Sequence, residues 1–217
     1  MPSKAGLDHA AVVQAAAALA DTAGIGQLTL ADLAGRLGVR TPSLYNHVAG
    51  LPGLHRDLAL LGTRELCARL SRAAIGKSGD AAVQALCQAY RAFVNERPGL
   101  YAATVRSGLL ADQPDPELNA AQKDTVDVVL MVLSAYALSG ADAIHAARGL
   151  RSVVHGFATL EASDGFGIPL DLDTSFQRLI QVYIAGLRQR EYRNNPTDQA
   201  RFRQEVQEQH DAGDAEL

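Results

Sequence analysis

The chain has 217 residues, 47 % of them hydrophobic, which is enough to bury the core of one large domain or of a small and a larger one. The net charge is −4, so any affinity for nucleic acid has to come from a local basic surface. No window approaches about 18 uncharged apolar residues, and Asp8 and Asp21 flank the N-terminal alanine run. These features argue against a membrane span and a signal peptide, and we expect a soluble, cytoplasmic protein.

Two helices are predicted near the N-terminus. Asp8 suits an N-cap and Gly24 suits a helix stop, so the alanine-rich stretch between them is predicted to be one helix. After a short turn, Thr29 with Asp32 three residues later has the spacing of a capping box. A second helix is therefore expected to begin at Thr29.

A tight turn and a short third helix come next. Gly38 ends the second helix. Thr41 as N-cap and Pro42 at the first helical position start the third helix, which ends at Gly50. Two short helices joined in this way are the geometry of a helix-turn-helix, in which the second helix enters the major groove of DNA. An ordinary helical hairpin with a proline start is the alternative interpretation.

The outward surface of the third helix is polar and carries no acid. The apolar residues expected to pack inside the two helices are Leu30, Leu33, Leu37, Val39 and Leu44. The residues left outside are Arg40, Thr41, Ser43, Tyr45, Asn46 and His47. Hydroxyl groups reach phosphates or bases, an asparagine amide suits adenine and tyrosine suits phosphate, so this pattern predicts contacts with DNA.

The charge balance of the N-terminal region limits this interpretation. The charged residues among the first 60 cancel, because four bases stand against four acids: Lys4, Arg36, Arg40 and Arg56 against Asp8, Asp21, Asp32 and Asp57. A DNA-binding domain normally shows a basic surface. If the acids cap helices or face away, Lys4, Arg36 and Arg40 are left as a small basic patch, and non-specific affinity is expected to be weak and salt-sensitive.

The rest of the chain is predicted to form further helices separated by glycine and proline breaks. Their predicted ranges are 51–76, 80–97, 98–108, 118–138, 142–163 and 174–192. After Pro196 the composition is polar and charged, which predicts a surface helix or a frayed tail. No strand pattern occurs, so we expect an all-α fold.

Residues 24–54, GIGQLTLADLAGRLGVRTPSLYNHVAGLPGL, resemble the helix-turn-helix of the tetracycline-repressor (TetR) family. The matching positions are Leu28–Thr29, Leu33–Ala34, Leu37–Gly38–Val39, Pro42, Ser43, Leu44, Tyr45, His47 and Val48. Two positions depart from the pattern, since Ala31 and Leu51 stand where members of the family often carry a basic residue.

The resemblance implies a homodimeric, all-helical transcriptional regulator, usually a repressor that a small-molecule effector releases from a palindromic double-stranded operator. The family pattern turns six residues toward DNA: Thr29, Thr41, Ser43, Tyr45, Asn46 and His47. Lys4 and Arg40 complete the expected DNA-binding set. The predicted domains are a three-helix DNA-binding domain at residues 1–53, a helical-bundle domain for ligand binding and dimerisation at 54–195, and a polar tail at 196–217.

The later part of the chain resembles a TetR subgroup named for a Trp-His-Gly signature, which is Val154–His155–Gly156 here. The two late helices, from Asp142 to Ser163 and from Ser175 to Tyr192, carry broader apolar faces than one subunit of this size is expected to bury. A four-helix interface between two subunits is therefore expected.

An effector pocket is expected among the helices between residues 80 and 160. Its candidate lining residues are Tyr90, Phe93, Tyr101, Arg106, Met131, Tyr136 and His155. For each of them, core packing is the alternative role, because methionine and aromatic residues at helical spacing are usually core.

No enzyme, metal or cofactor signature is present. The chain has no phosphate-binding glycine loop, nucleophile elbow or paired carboxylates with a nearby histidine. His145 and His155 lie ten residues apart and do not converge on one helix face. Cys67 and Cys87 fit no metal motif and are expected in the core. The alternative to a regulator is a helical small-molecule or partner-binding module with little DNA affinity.

Overall fold

The computed structural model describes residues 7–106, 115–189, 200 and 204. Every regular element in these residues is helical, which confirms the all-α fold. The helices are α1 (His9–Ala23), α2 (Leu30–Leu37), α3 (Thr41–Leu44), α4 (Gly50–Ala74), α5 (Gly79–Glu96), α6 (Pro98–Arg106), α7 (Pro116–Leu133), α8 (Gly140–Ala162) and α9 (Leu172–Leu187). Short 3₁₀ turns at Ile25–Gln27 and Ser134–Tyr136 follow α1 and α7.

The chain divides into two compact units, each built from two segments. The segments are Met1–Arg69 with Ala92–Thr125 in the first unit and Leu70–Arg91 with Val126–Leu217 in the second. Helices α4, α5 and α7 each contribute to both units. The domain limits expected from the sequence stay a prediction, and most of the predicted tail lies outside the described residues.

The predicted start of α1 and the predicted start and end of α2 are confirmed by hydrogen bonds and backbone angles, whereas α3 ends at Leu44 and not at the predicted Gly50. The Asp8 carboxylate accepts a hydrogen bond of 2.7 Å from the amide of Ala11 and so caps α1. The Thr29 hydroxyl oxygen accepts one of 3.1 Å from the amide of Asp32 and donates one of 2.6 Å to the Asp32 carboxylate. Gly38 ends α2 with φ 67°, a left-handed conformation that glycine adopts without strain.

The start of α3 differs from the prediction. Thr41 was expected to be the N-cap, but it is the first helical residue, and Arg40 takes the cap position without a side-chain hydrogen bond. The amide of Ser43 donates to the Arg40 carbonyl at 2.9 Å, and Pro42 has no amide hydrogen to satisfy. The helix therefore needs fewer capping bonds, and the Arg40 side chain remains exposed.

Helix α6 packs directly on α1 in the first unit. A Cβ atom at Gly99 would lie only 2.1 Å from the backbone carbonyl of Ala20, so the two helices touch through backbone atoms. The Asp21 carboxylate beside this point accepts hydrogen bonds from the amide of Leu100 at 2.9 Å and from Nε of Arg97 at 2.6 Å. The end of α1 and the start of α6 are therefore joined by packing and charge together.

A buried arginine joins three helices in the second unit. Arg91 of α5 is 7 % exposed, and its guanidinium lies 5.4 Å from the ring centroid of Phe157 in α8 and 4.9 Å from that of Phe176 in α9. Its Nε donates to the Glu161 carboxylate at 2.7 Å, and Nη1 donates to Asp173 at 2.7 Å. Hydrogen bonding to Glu161 raises the pKa of Arg91, so the guanidinium stays charged.

The last helix begins slightly earlier than expected and is capped at both ends. The Asp171 carboxylate accepts a hydrogen bond of 2.7 Å from the amide of Thr174, and Arg188 is the C-cap. Tyr183 of α9 donates its hydroxyl to the carbonyl of Ala146 in α8, where Gly149 leaves room for the ring. Helices α8 and α9 are therefore in close contact.

Within the described residues, no single helix is long and apolar enough to cross a membrane. Two consecutive segments, Pro116–Tyr136 and Gly140–Ala162, meet the length and composition requirement only as a bent pair.

Candidate nucleic-acid interface

Helices α2 and α3 form a braced corner near the N-terminus. Leu33 of α2 and Leu44 of α3 are fully buried, and the amide of Val39 donates to the carbonyl of Ala34 at 3.0 Å across the glycine turn. Val48, just after α3, is also buried. These apolar contacts fix the angle between the two helices, which a helix-turn-helix needs if its second helix is to enter a groove.

We call residues 40–47 the recognition segment. Only its first half is regular helix, because α3 ends at Leu44 and the next residues continue in hydrogen-bonded turns, with the His47 amide donating to the Leu44 carbonyl at 2.8 Å. Tyr45 is 62 % exposed, so both its ring and its hydroxyl are open to solvent. Arg40 and Asn46 are also exposed, whereas Thr41, Ser43 and His47 are half-buried.

Two members of the expected DNA-binding set lie apart from the recognition segment. Thr29 is exposed at the start of α2, but its hydroxyl already caps the helix and bonds Asp32. Lys4 lies outside the described residues. The structure thus brings six of the eight candidates into one continuous stretch, and their contacts with DNA stay a prediction.

Each of the four acids among the first 60 residues accepts at least one hydrogen bond through its carboxylate. Asp8 caps α1, Asp21 bonds Arg97, and Asp32 bonds Thr29. Asp57 of α4 accepts from Nε2 of His9 at 2.8 Å and from Nη1 of its neighbour Arg56 at 3.3 Å. Two of the four acids, Asp21 and Asp57, are therefore paired with basic side chains, whereas Asp8 and Asp32 act at helix starts and keep their charge.

Two arginines supply the positive charge next to this segment. Arg36 at the end of α2 and Arg40 at the start of α3 are exposed, and neither forms an ion pair with another residue in the described part of the chain. Because no acid neutralises them, they are available to phosphate groups.

Substitution of Arg36 or Arg40 by glutamine tests whether these arginines contact phosphate groups of DNA. Each change is expected to reduce the slope of log K against log salt for duplex binding by about one, since each removed phosphate contact releases about one counterion fewer. Arg72→Gln, an exposed arginine in the last turn of α4, is the matched control. Equal slopes for all three variants would show that Arg36 and Arg40 do not contact phosphate.

The predicted effector contacts are divided between the two units. In the first unit, Phe93 and Tyr101 are buried and meet edge to face, with ring centroids 6.2 Å apart. Arg106 is exposed at the end of α6, and its guanidinium lies beside Gly26. The contact of Phe93 with Tyr101 is an ordinary core contact, so it supports the packing role at least as well as a ligand role.

The other predicted effector contacts lie in the second unit. Tyr90 and Tyr136 are buried, and the Tyr136 hydroxyl donates to the Asp80 carboxylate at 2.8 Å. Met131 is 61 % exposed and His155 is half-buried. The ligand role of all these residues stays a prediction.

An open cleft of about 310 Å³ lies elsewhere, between α4 and α7 of the first unit. It is lined by Arg64, Cys67, Ala68, Glu117, Ala120, Ala121 and Asp124. None of these residues was expected to bind a ligand. The only signal in the sequence was their spacing of three, four or seven residues. This spacing places the lining residues of α4 on one face of that helix and those of α7 on one face of the other.

The cysteines and the described histidines are not grouped as metal ligands. Cys87 is fully buried, and burial raises the pKa of its thiol to about 12, which suits the predicted core role. Cys67 is half-buried. Within the described ranges, no group of three or more histidine, cysteine or acidic residues is placed to hold a metal ion.

A braced two-helix corner, an exposed polar recognition segment and two arginines without an ion pair in the described ranges define the class of this protein, a helix-turn-helix DNA-binding protein. A family model, the tetracyclin repressor-like C-terminal domain, matches residues 83–183. The chain is 35 % identical over 187 residues to YobS, an uncharacterised HTH-type transcriptional regulator of Bacillus subtilis, covering 86 % of this chain and 96 % of that protein. It is 36 % identical over 184 residues to the uncharacterised HTH-type transcriptional regulator Rv0681 of Mycobacterium tuberculosis, covering 85 % and 83 %.

The chain belongs to the TetR family of helix-turn-helix transcriptional regulators. Its fold is shared with a Rhodococcus protein of unknown function, with a TM-score of 0.74 and 24 % identity over 87 % of this chain and all of that one. It is also shared with a minocycline complex of TetR from Acinetobacter baumannii, with a TM-score of 0.63 and 23 % identity over 88 % of this chain and all of that one. The Trp-His-Gly subgroup stays a prediction.

Proposed function

We propose that this regulator is a homodimeric repressor that binds a palindromic operator through its recognition segment and leaves it when a small molecule binds. The observation that carries the proposal is the exposure of Arg40, Tyr45 and Asn46. They stand on a corner in which Leu33 and Leu44 are fully buried. A rigid corner that exposes a guanidinium, a phenol and an amide suits base and phosphate contacts in the major groove.

Dimerisation through α8 and α9 is supported by their outward faces. Val182 of α9 is 72 % exposed, and nearby Gly186 has open space where a side chain would stand. Gly156 of α8, next to the predicted signature histidine, is equally open. Small residues and an exposed valine allow two helix pairs to approach closely. A two-fold dimer would hold its recognition segments about 34 Å apart, one turn of DNA.

Release by a ligand is supported by the place of α4 in the chain, because this helix starts three residues after the recognition segment. A ligand that moves α4 would change the distance between the two recognition segments. To empty the operator, it must favour the released state by a few kcal/mol, roughly 2–5. The related fold that holds minocycline shows that such a helical frame has room for a ligand in that protein.

The alternative is a helical ligand-binding or partner-binding module with little DNA affinity. A salt titration with random duplex separates the two, because a DNA-binding regulator gives a negative slope and the module gives none. Arg36 and Arg40, which form no ion pair with any residue that the structure describes, favour the regulator. We also propose that the protein has no catalytic activity, needs no cofactor and works in the cytoplasm.

The double substitution Tyr45→Ala and His47→Ala tests the proposal. It is expected to weaken operator binding about 100-fold, since each lost contact costs about 1–2 kcal/mol. An operator is first selected from a random duplex library with the wild-type protein, and affinity is measured by fluorescence anisotropy at fixed salt. Gln84→Ala, exposed on α5, is the control.

Sedimentation and circular dichroism accompany each variant. If the double variant is a folded dimer and keeps full operator affinity, the recognition segment does not bind DNA and the proposal is wrong. If the wild-type protein is a monomer at the concentrations that occupy the operator, the dimer part of the proposal fails.

A further inference from the structure

The cleft between α4 and α7 has two different ends. On α7, Glu117 and Asp124 are seven residues apart, so they lie on one face about 10 Å from each other along the axis. Ala120 and Ala121 lie between them, and Ala68 of α4 faces the same cleft. The cleft therefore has a floor of small apolar groups with a carboxylate at each end.

The two carboxylates differ in their partners. Glu117 accepts from Nη2 of Arg56 at 2.7 Å through one oxygen and from Nη2 of Arg64 at 2.9 Å through the other. Asp124 forms no ion pair or hydrogen bond with any residue in the described ranges. One end of the cleft is therefore closed by a satisfied ion pair, and the other end presents an uncompensated negative charge.

We propose that this cleft binds a small aromatic amine. Its ammonium group pairs with Asp124, one face of its ring covers the alanine floor beside Cys67, and the guanidinium of Arg64 lies over the other face. An anion of the same shape is repelled by Asp124, and a neutral molecule lacks the ion pair. The volume of about 310 Å³ is at the lower limit for a ligand site, which favours a compact single-ring molecule.

The cleft lies next to the contact that ties α7 to α4. Arg56 holds Asp115 with two hydrogen bonds, at 2.7 and 3.0 Å, and Asp115 also caps α7 through the amide of Leu118. The hydrogen bond from Arg56 lowers the pKa of Asp115 to about 2, so the carboxylate stays ionised at physiological pH. Arg56, Asp115, Glu117 and Arg64 form one chain of ion pairs between the two helices.

A ring that draws Arg64 away from Glu117 would loosen this chain of ion pairs. Because α4 starts three residues after the recognition segment, amine binding is expected to weaken operator binding. This second step rests on the proposed ligand-responsive function, whereas binding of the amine to the cleft does not.

Binding is tested with three probes of one size: phenethylamine, phenethyl alcohol and phenylacetate. They are titrated into the full-length protein labelled at the alanine methyl groups, and methyl shifts are followed by NMR. We expect phenethylamine to shift Ala68, Ala120 and Ala121 and to bind about five-fold more tightly than the alcohol, with the acid weakest.

Three variants test where the amine binds. Asp124→Asn is expected to weaken phenethylamine binding about five-fold and to abolish the preference for the amine. Asp127→Asn, three residues further along α7 and outside the lining, is the matched control and should change affinity less than two-fold. Ala120→Phe fills the cleft from an exposed position and should remove binding. Equal affinities for the three probes, shifts at other methyl groups or an Asp124→Asn variant with unchanged affinity would overturn the site.

Operator binding is measured separately at saturating phenethylamine. A loss of operator affinity of at least five-fold in the wild-type protein, absent in Ala120→Phe, supports the regulatory step. Amine binding in the cleft with unchanged operator affinity refutes this step and leaves the site. Absence of operator binding at any amine concentration refutes the proposed function, and the NMR result still decides whether the cleft binds the amine.

Discussion

Substitution of Gly99 by alanine is expected to lower the free energy of unfolding by about 3 kcal/mol. The new Cβ atom would lie 2.1 Å from the carbonyl of Ala20 and 2.5 Å from the amide of Asp21, and both are backbone atoms that no rotamer change can move. Helix α6 must therefore retreat from α1, which also weakens the hydrogen bond from Leu100 to Asp21. Urea denaturation followed by circular dichroism measures the loss.

The matched control for this prediction is Gly35→Ala. Gly35 is an exposed position in α2 with no atom within 4 Å of an added Cβ. Alanine there should be neutral or stabilise the helix by up to about 1 kcal/mol, because glycine is the poorer helix former. If Gly99→Ala were as stable as Gly35→Ala, α6 would not be pressed against α1.

The second large effect is expected at Arg91. Replacement by methionine removes the guanidinium from the rings of Phe157 and Phe176, and it leaves the Glu161 carboxylate without its arginine. Removing one partner of a buried ion pair leaves an uncompensated charge, so we expect a loss of about 3 kcal/mol. Asp173 contributes little to this value, because its side chain is 76 % exposed.

Arg148→Met is the control for Arg91, and urea denaturation again gives the free energy. Arg148 is exposed on α8 and has no acidic partner among the described residues, so its replacement should change stability by less than about 0.5 kcal/mol. The double variant Arg91→Met with Glu161→Gln should recover part of the loss, since the unpaired charge is gone. The role given to the ion pair would be contradicted if Arg148→Met lost as much stability as Arg91→Met. It would also be contradicted if the double variant were no more stable than Arg91→Met.

Local signals predicted the N-terminal helices well. Asp8, Thr29 and Gly38 act through hydrogen bonds or backbone angles within four residues, so their effects depend little on the rest of the fold. The recognition segment was predicted for the same reason, together with its exposed tyrosine. Thr41 was wrong as an N-cap because the choice between two neighbouring cap positions depends on how the turn after Gly38 enters the helix.

Contacts between residues far apart in the chain could not be predicted from the sequence. The partner of Asp21 is Arg97, 76 residues away, and Arg56 finds Asp115 at a separation of 59. A single sequence gives no information on such pairs, which is why the zero net charge of the N-terminal region looked unfavourable for DNA binding. The exposure of Met131 shows the same limit, since spacing places a residue on a helix face without showing which face is covered.

The contact between α6 and α1 also has a consequence for engineering hybrid regulators. Gly99 rests on the backbone of α1, and a Cβ atom at Gly62 of α4 would lie 2.9 Å from the carbonyl of Leu100 in α6, so α6 is a structural part of the DNA-reading end. A chimera joined just before α4 would transfer α1, α2 and α3 to another protein without α6, the helix that packs on α1. A hybrid built from this protein therefore has to include α6, or the other protein must have a glycine at the position that corresponds to Gly99.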